Sequence, residues 1–309
     1  MKYNSYKTIT INIQKLTKER IDMNKIGLIL EGGGMRGIYT AGVLDFFIEK
    51  DIEVDIAIGV SAGSCHASSY LSKQYKRAFH ATIDYINDKN YISFRNLIKT
   101  GSIFGMEFMF DTIPNKLNIY DHEAFNKSKS KFVVVTTNCE TGNPEYFELT
   151  NLKKEITYMQ ASCSIPMFAN IVEIDGYKLV DGGVADSIPI EYALNQGYKK
   201  NIVVLTRDKT YKKSKQKFTS IVKRKYKKYP KLVKAIENRH INYNKSLELV
   251  STLEAKGDVL VIRPKNPVKV SQVEKNIDKL TALYNEGYND AKELYSDILN
   301  FINPSHSQI

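Results

Sequence analysis

The chain has 309 residues, of which 42% are hydrophobic, and its formal net charge is +11. This composition predicts a soluble globular protein that buries a sizeable core. No window approaches 18 uninterrupted apolar residues and no apolar core follows the early lysines, so neither a membrane span nor a signal peptide is predicted, and the cytosol is the simplest location. The three cysteines, Cys65, Cys139 and Cys163, form no C-x-x-C pair, which argues against a disulfide framework or a zinc site.

The first predicted element follows a polar beginning. Residues 1–22 are polar and mostly unpatterned, and we expect them to be a flexible extension or a start-codon artefact. The fold is expected to begin at Met23. An apolar strand from Gly27 to Leu30 then leads into a glycine-rich turn.

The glycine-rich turn reads Gly32-Gly33-Gly34-Met35-Arg36-Gly37 and has two competing interpretations. Its G-x-G-x-x-G spacing is that of a dinucleotide site, but such a site needs an acid for the ribose about 20 residues further on, at the end of a second strand. That position runs into a second glycine turn instead. Successive glycines leave backbone N–H groups free to converge on negative charge, and a helix beginning near Gly37 adds its positive end. We therefore interpret the turn as an oxyanion hole for acyl transfer.

The second glycine turn holds a serine between two glycines. It reads Gly59-Val60-Ser61-Ala62-Gly63 and joins a predicted strand, which begins at Ile56, to a predicted helix. A G-x-S-x-G turn in this context is so tight that it pushes the serine hydroxyl out of the sheet edge, where a substrate carbonyl can reach it. Ser61 is therefore the candidate nucleophile.

An exposed serine needs a base, and the chain offers either a histidine or an acid. The histidines are His66, His80, His122, His240 and His306. None of them lies in a glycine-bounded turn after a strand. Asp181 does, because it ends a predicted strand and precedes Gly182 and Gly183. It can accept the serine proton directly if burial raises its pKa from about 3.9, whereas the alternative is an ordinary Asp-Gly β-turn.

Together these motifs resemble the patatin-like phospholipases, a family of serine lipid acyl hydrolases. The oxyanion loop, the serine turn and the aspartate turn stand in the family order, as Gly32 to Gly37, Gly59 to Gly63 and Asp181 to Gly183. The segment from Ala161 to Phe168 is also similar to the small-residue helix end and proline that precede the aspartate turn in the family. The likeness spans about residues 26–208.

The resemblance implies a fold, an activity and a set of site residues. The implied fold is a three-layer α/β/α sandwich with a mainly parallel central sheet. The implied substrate is a lipid or phospholipid, cleaved at an acyl ester in two steps, as by a phospholipase A or a lysophospholipase, and no cofactor or metal is implied. By position, the implied roles are nucleophile for Ser61, general base for Asp181, oxyanion loop for Gly32, Gly33, Gly34, Arg36 and Gly37, and turn glycines for Gly59, Gly63, Gly182 and Gly183. The Gly33 and Gly34 amides are the expected donors, and Arg36 remains open between a structural contact and a catalytic or phosphate contact.

Strands alternate with helices through the middle of the chain. Strands are expected at 132–137, 171–174, 177–180 and 201–206, and helices at 152–162 and 189–196. This alternation independently predicts an α/β sandwich with a mainly parallel sheet, in which both catalytic candidates sit at strand ends. Residues 101–110 are apolar but broken by glycines, so we expect no regular element there, and they are either a mobile flap lining an acyl groove or a loop packed on the core.

A strongly basic segment follows the predicted catalytic region, residues 23–208. Residues 209–240 hold thirteen Lys and Arg against one acid, Glu237, and apolar residues at helical spacing predict two basic amphipathic helices, the second beginning at Pro230. One interpretation is a solvated face docked on the catalytic region by its apolar stripe. Another is attraction to an anionic membrane, worth about 1 kcal/mol per basic residue. No nucleic acid is expected, because the segment does not interleave glycine and aromatic residues as RNA-binding modules do.

The rest of the C-terminal region, which spans residues 209–309, either completes the catalytic domain or is appended to it. A strand is expected at 258–263, then a helix from about Ser271 to Phe301 that Gly287 interrupts. For the whole chain we predict a serine lipid acyl hydrolase with a Ser61–Asp181 dyad. Two alternatives stay open: a lipid- or membrane-binding protein that keeps the fold without turnover, and an ordinary esterase that uses Ser61 with a histidine.

Overall fold

The computed structural model describes residues 25–215 and 219–303, so the predicted extension, residues 1–22, lies outside the described part. The strands of the described residues form one mixed sheet. In chain order they are β1 (Ile26–Leu30), β2 (Ile56–Val60), β3 (Lys131–Asn138), β4 (Pro144–Glu148), β5 (Val172–Ile174), β6 (Tyr177–Asp181), β7 (Lys200–Val204) and β8 (Val259–Ile262).

The α-helices of this part of the chain cover the sheet. In chain order they are α1 (Ile38–Glu49), α2 (Ala62–Leu71), α3 (Arg77–Ile83), α4 (Phe94–Thr100), α5 (His122–Lys127), α6 (Leu152–Ser162), α7 (Ile190–Asn195), α8 (Thr219–Lys225), α9 (Pro230–Lys256), α10 (Ile277–Glu293) and α11 (Tyr295–Ile302). Short 3₁₀ turns span Gly34–Gly37 and Gly182–Val184, and a π-helix spans Phe108–Leu117. None of the helices in the described residues is both long enough and apolar enough to cross a bilayer.

The sheet is mainly parallel, which confirms the sequence-based prediction. Strands β3, β2, β1, β7 and β8 are parallel neighbours in that order. Strands β4 and β6 run antiparallel to β3, and β5 runs antiparallel to β6. All residues of β1 and β2 are buried, as expected for continuous apolar runs in a parallel sheet that is covered on both faces.

Two apolar cores lie on the two faces of the sheet and make the fold a three-layer α/β/α sandwich. Leu28 and Leu30 of β1 point into the core that contains α1 and α10, whereas Ile29 points into the core that contains α7 and α9. The predicted interruption at Gly287 is wrong, because this glycine lies inside α10. A Cβ there would lie 2.1 Å from the Tyr39 carbonyl oxygen, so the glycine lets α10 pack closely on α1.

The basic segment docks on the rest of the fold. The two predicted amphipathic helices are α8 and α9, and Pro230 begins α9 as predicted. Their apolar stripe, which includes Val222, Tyr226 and Ile236, is buried against Val180 and Val184 beside the aspartate turn. The C-terminal region also adds β8 to the sheet beside β7 and α10 to the helical layer.

The apolar segment 101–110 and the residues after it are more regular than expected. The chain turns into a helix near Met106 and continues as the π-helix Phe108–Leu117. Phe104 and Phe110 are buried in the core, so this segment packs on the core rather than lying open.

Candidate active site

The register of β3 explains why the serine turn and the aspartate turn meet. Val135 of β3 pairs with Val60, and the next residue, Thr136, pairs with Asp181. Strand β4 pairs with residues 133–137 of β3, so β2 and β6 both use the other edge. Strand β6 therefore begins to pair where β2 ends, and Ser61, the residue after Val60, lies next to Asp181.

The serine turn has the strained geometry that the sequence predicts. Ser61 has φ 54° and ψ −125°, a left-handed conformation that is uncommon for a residue with a side chain. The turn also needs its glycines, because a Cβ on Gly63 would lie 2.4 Å from the Leu30 carbonyl oxygen, and one on Gly59 would lie 2.5 Å from the Ser64 Cα. The packing around the turn therefore fixes an unfavourable backbone at Ser61.

Ser162 anchors the serine turn to the sheet. Its buried hydroxyl accepts a hydrogen bond from the Ser61 amide (2.8 Å) and donates one to the Val135 carbonyl (2.7 Å). The following residues continue the connection, because the Asp181 amide donates to the Ser164 carbonyl (2.9 Å). The end of α6 thus bridges the two candidate catalytic turns, in the segment whose small residues the sequence singled out.

Asp181 is buried and held in place on several sides. Its Oδ1 accepts a hydrogen bond from the Gly183 amide (2.7 Å), and its carbonyl accepts one from the Thr137 hydroxyl (2.9 Å). Burial raises the pKa of Asp181, whereas the Arg239 guanidinium, a hydrogen bond from the Ser61 hydroxyl and the Gly183 amide lower it. The net effect is a raised pKa, as a carboxylate that accepts a proton near neutral pH requires.

The glycine-rich loop lies directly against the serine. A Cβ on Gly32 would lie 2.9 Å from the Ser61 Cβ, so the loop and the serine turn are in contact. Among the described residues, the amides of Gly33 and Gly34 donate to no protein acceptor, while the next amide, that of Met35, donates to the Gln272 carbonyl (3.2 Å). The two amides that the sequence proposed as oxyanion donors are thus free for a ligand. Gly37 ends the 3₁₀ turn and precedes α1.

Arg36 of the loop is buried, and charged groups lie close to its guanidinium. Burial and the nearby Arg207 lower its pKa, and the nearby Glu31 raises it. Its buried Nε has no hydrogen-bond partner within the described part of the chain. The structure has two cavities next to Ser61, and Arg36 lines neither of them. This favours a structural or electrostatic role for Arg36 over direct contact with substrate.

Two cavities meet at Ser61. The larger has a volume of about 580 Å³, and its lining is mostly apolar, with Ile38, Phe104, Phe110 and Met159 among the side chains. The smaller has a volume of about 20 Å³, enough for roughly one water molecule. It is lined by Ser61, Asp181, the three loop glycines and Arg239, among other residues. The serine therefore separates an apolar chamber from a polar pocket of atomic size.

The structure does not pair a histidine with Ser61. His66 also lines the larger cavity, but within the described residues it makes no hydrogen bond to Ser61. Burial lowers its pKa to about 4. His122 lines the same cavity, His80 is exposed beside Asp84, and the ring of His240 contacts the Glu237 carbonyl, while His306 lies outside the described residues.

Three C-terminal residues at the site were not predicted from the sequence. Arg239 of α9 donates from Nε to the Gly183 carbonyl. Tyr243, one turn further along α9, donates to Glu31 (2.7 Å), the residue before the glycine loop. The third is Gln272, whose carbonyl holds the Met35 amide. The one usable sequence signal was the position of Arg239 on the apolar face of α9, since it follows Ile236 by three residues and precedes Tyr243 by four.

The fold and the site define an α/β protein in which a serine on a strand-to-helix turn lies between a buried carboxylate and a glycine-rich loop. Residues 28–194, just over half of the chain, match the family model described as patatin-like phospholipase. The chain therefore belongs to the patatin-like phospholipase family. Residues 229–303 match a second model, described as a domain of unknown function.

The chain is similar to several curated proteins and to solved structures. An uncharacterized Escherichia coli protein, YjjU, is 28% identical over 63% of the chain, which covers 56% of that protein. A probable lipid hydrolase of Invertebrate iridescent virus 6 is 26% identical over 60% of the chain and 72% of its own length. The lysophospholipase nte1 of Aspergillus fumigatus is 27% identical over 56% of the chain, but only 11% of that protein is covered. The crystal structure of VipD from Legionella pneumophila has a similar fold, with a TM-score of 0.50, 12% identity, and coverage of 89% of this chain and 67% of VipD.

Proposed function

We propose that the chain is a serine lipid acyl hydrolase in which Ser61 is the nucleophile and Asp181 is the proton acceptor. The observation that carries the proposal is the β3 register, because it sets the strained Ser61 beside a buried carboxylate with a raised pKa. Family membership and relatives named as a lipid hydrolase and a lysophospholipase support the same reaction class.

The chemistry follows from the contacts of the two residues. Asp181 takes the proton of the Ser61 hydroxyl while its oxygen attacks the ester carbonyl, and the free amides of Gly33 and Gly34 stabilise the negative oxygen that forms. The alcohol leaves with the proton from Asp181 and an acyl-serine remains. Asp181 then takes a proton from water, whose oxygen attacks the acyl-serine, and the proton returns to Ser61 as the fatty acid is released.

The larger cavity supports a lipid as the substrate. A mostly apolar chamber of about 580 Å³ that opens beside Ser61 is suited to bury an acyl chain and gain its hydrophobic free energy. The ester would then lie at the junction of the two cavities, with its carbonyl oxygen in the small pocket next to the free amides.

The test compares hydrolysis of a short p-nitrophenyl ester and a fluorogenic phospholipid by the wild type, Ser61→Ala and Asp181→Asn. We expect activity in the wild type and a loss of at least about a thousandfold in both variants. Asp175→Asn is the matched control, since Asp175 is an aspartate in the turn of the same hairpin, bonded to Tyr158, and outside the site. An inactive wild type, tested also with anionic vesicles, would favour the binding-protein alternative. An active Ser61→Ala would contradict the role of Ser61 as the nucleophile.

We also propose that the basic segment brings the enzyme to anionic lipid. Its apolar stripe is used in docking, but the lysines at the start of α9 and in the turn that precedes it, including Lys227, Lys228, Lys231 and Lys234, are exposed. Each basic residue close to a charged surface contributes about 1 kcal/mol. Flotation with vesicles that contain phosphatidylserine should retain the wild type and lose a variant with these four lysines changed to glutamine. Equal flotation with purely zwitterionic vesicles would contradict the proposal.

A further inference from the structure

Three residues of the C-terminal region contact the turns and the loop of the active site. The Arg239 Nε donates to the Gly183 carbonyl, the Gln272 carbonyl accepts the Met35 amide, and Tyr243 donates to Glu31. These contacts touch both the aspartate turn and the glycine-rich loop. All three residues lie within the match to the domain of unknown function, outside the patatin-like match.

Arg239 has the most direct relation to the proposed chemistry. Gly183, whose carbonyl it holds, donates its amide to the Asp181 carboxylate, so one residue connects the guanidinium to the proposed base. Arg239 also lines the small pocket together with Ser61 and the loop glycines. Within the described residues, its Nη groups have no hydrogen-bond partner, so they can face the pocket.

The surroundings show that Arg239 is the main positive charge acting on Asp181. Besides Ser61 and Gly183, the groups that affect the carboxylate are Arg239 and, more weakly, Lys213. The thiols of Cys65 and Cys163 are also close enough for Asp181 to influence their pKa values. Burial and Arg239 lower the pKa of Lys213 to about 7, so Lys213 is only partly charged at neutral pH.

We infer that the C-terminal region completes the active site, with Arg239 as a positioning residue that holds the aspartate turn and keeps the Asp181 carboxylate charged. This inference rests on the proposed function. It assigns the C-terminal region a role inside the catalytic site, in addition to any contact with lipid. A buried carboxylate without this partner would take up a proton at higher pH and cease to act as a base.

The experiment measures the pH profile of kcat/KM on a neutral p-nitrophenyl ester for the wild type, Arg239→Met and Arg239→Lys. We expect Arg239→Met to lower kcat/KM at pH 7 at least tenfold. The midpoint of the acidic limb of the profile, the pH at which protonation of the base halves kcat/KM, should rise by about one pH unit or more. Arg239→Lys keeps the charge and should restore the midpoint toward the wild-type value. Lys245→Met, an exposed lysine on the same helix that among the described residues pairs only with Glu191, is the matched control and should change neither quantity.

Lys213→Met separates the two cations, because it should move the midpoint less than Arg239→Met does. An unchanged midpoint in Arg239→Met would overturn the inference even if kcat fell. A purely structural defect lowers activity without changing the pH at which Asp181 takes up a proton. Failure of the proposed function looks different, because the wild type itself would then be inactive and Ser61 would not react with a fluorophosphonate.

A double-mutant cycle tests the contact without relying on activity. The free energy of unfolding is measured at pH 7 for the wild type, Asp181→Asn, Arg239→Met and the double variant. We expect Arg239→Met to destabilise the wild type more than it destabilises the Asp181→Asn background, because only the former loses an ion interaction. Equal destabilisation in both backgrounds would overturn the inference. If Arg239→Met does not fold, Arg239→Gln, which also removes the charge, takes its place in the cycle.

Discussion

Replacement of Ser162 by alanine tests whether the bridge from α6 holds the serine turn in its strained form. The hydroxyl accepts from the Ser61 amide and donates to the Val135 carbonyl, and the side chain is fully buried. Alanine leaves both backbone groups without this partner. At about 1–3 kcal/mol for each unsatisfied buried group, Ser162→Ala should lower the free energy of unfolding by roughly 2–6 kcal/mol.

The same substitution should reduce catalysis, because the Ser61 backbone would relax from φ 54° once its amide is free. A shift of about 1 Å at a nucleophile costs about a hundredfold, so we expect kcat to fall between tenfold and a hundredfold with a smaller change in KM. Urea unfolding followed by circular dichroism and ester hydrolysis measure the two effects on the same preparation.

Ser72→Ala is the control for this prediction. Ser72 is also buried and its hydroxyl also makes two hydrogen bonds, to the Ser69 carbonyl and to Gln74, but it lies at the far end of α2. It should lower stability by about 1 kcal/mol without a change in kcat. The reasoning is refuted if Ser162→Ala stays within about 0.5 kcal/mol of the wild type and keeps its full kcat.

Three further predictions follow from the burial of the site. The native state holds the Asp181 proton to a higher pH than the unfolded chain does, so the contribution of Asp181 to stability falls as the pH rises through its raised pKa. In urea titrations, the free energy of unfolding of Asp181→Asn should therefore exceed that of the wild type at pH 7 but not at pH 4. His66→Ala should keep kcat within tenfold in ester hydrolysis, whereas a serine–histidine mechanism requires its near-complete loss. In the same titrations, Gly63→Ala should lower the free energy of unfolding by about 1–3 kcal/mol or more, because the new Cβ would overlap the Leu30 carbonyl. An unchanged urea midpoint would show that the turn has room for a side chain at this position.

The sequence could predict the sheet and the two catalytic turns because their signals are local. The strand of β1 and the loop glycines are contiguous in sequence, and so are the residues around Ser61. Each turn carries a glycine pattern that few other structures need. The proximity of Ser61 and Asp181 is different, because it depends on where two distant strands pair with β3, and only the resemblance to a family implied it.

Contacts made by ordinary residues carry no comparable signal in the sequence. Ser162 is one of several small residues at the end of α6, and only the structure shows that its hydroxyl bonds the Ser61 amide. Gln272 acts through its backbone carbonyl, so its side-chain type carries no information about the role. The predicted break at Gly287 failed for a related reason, since a glycine in a helix can mark a close helix contact as well as an end.

The basic segment shows how one helix can serve two purposes that sequence analysis treats as alternatives. On α9, Leu232, Ile236, Arg239 and Tyr243 follow one another at intervals of three or four residues, so they share the face that packs inward. The lysines at positions 231 and 234 lie on the opposite, exposed face. Docking therefore uses the apolar stripe and leaves the lysines available to an anionic surface. An arginine interrupts the stripe where it meets the aspartate turn, and the net charge of the segment does not distinguish this arginine from the exposed lysines.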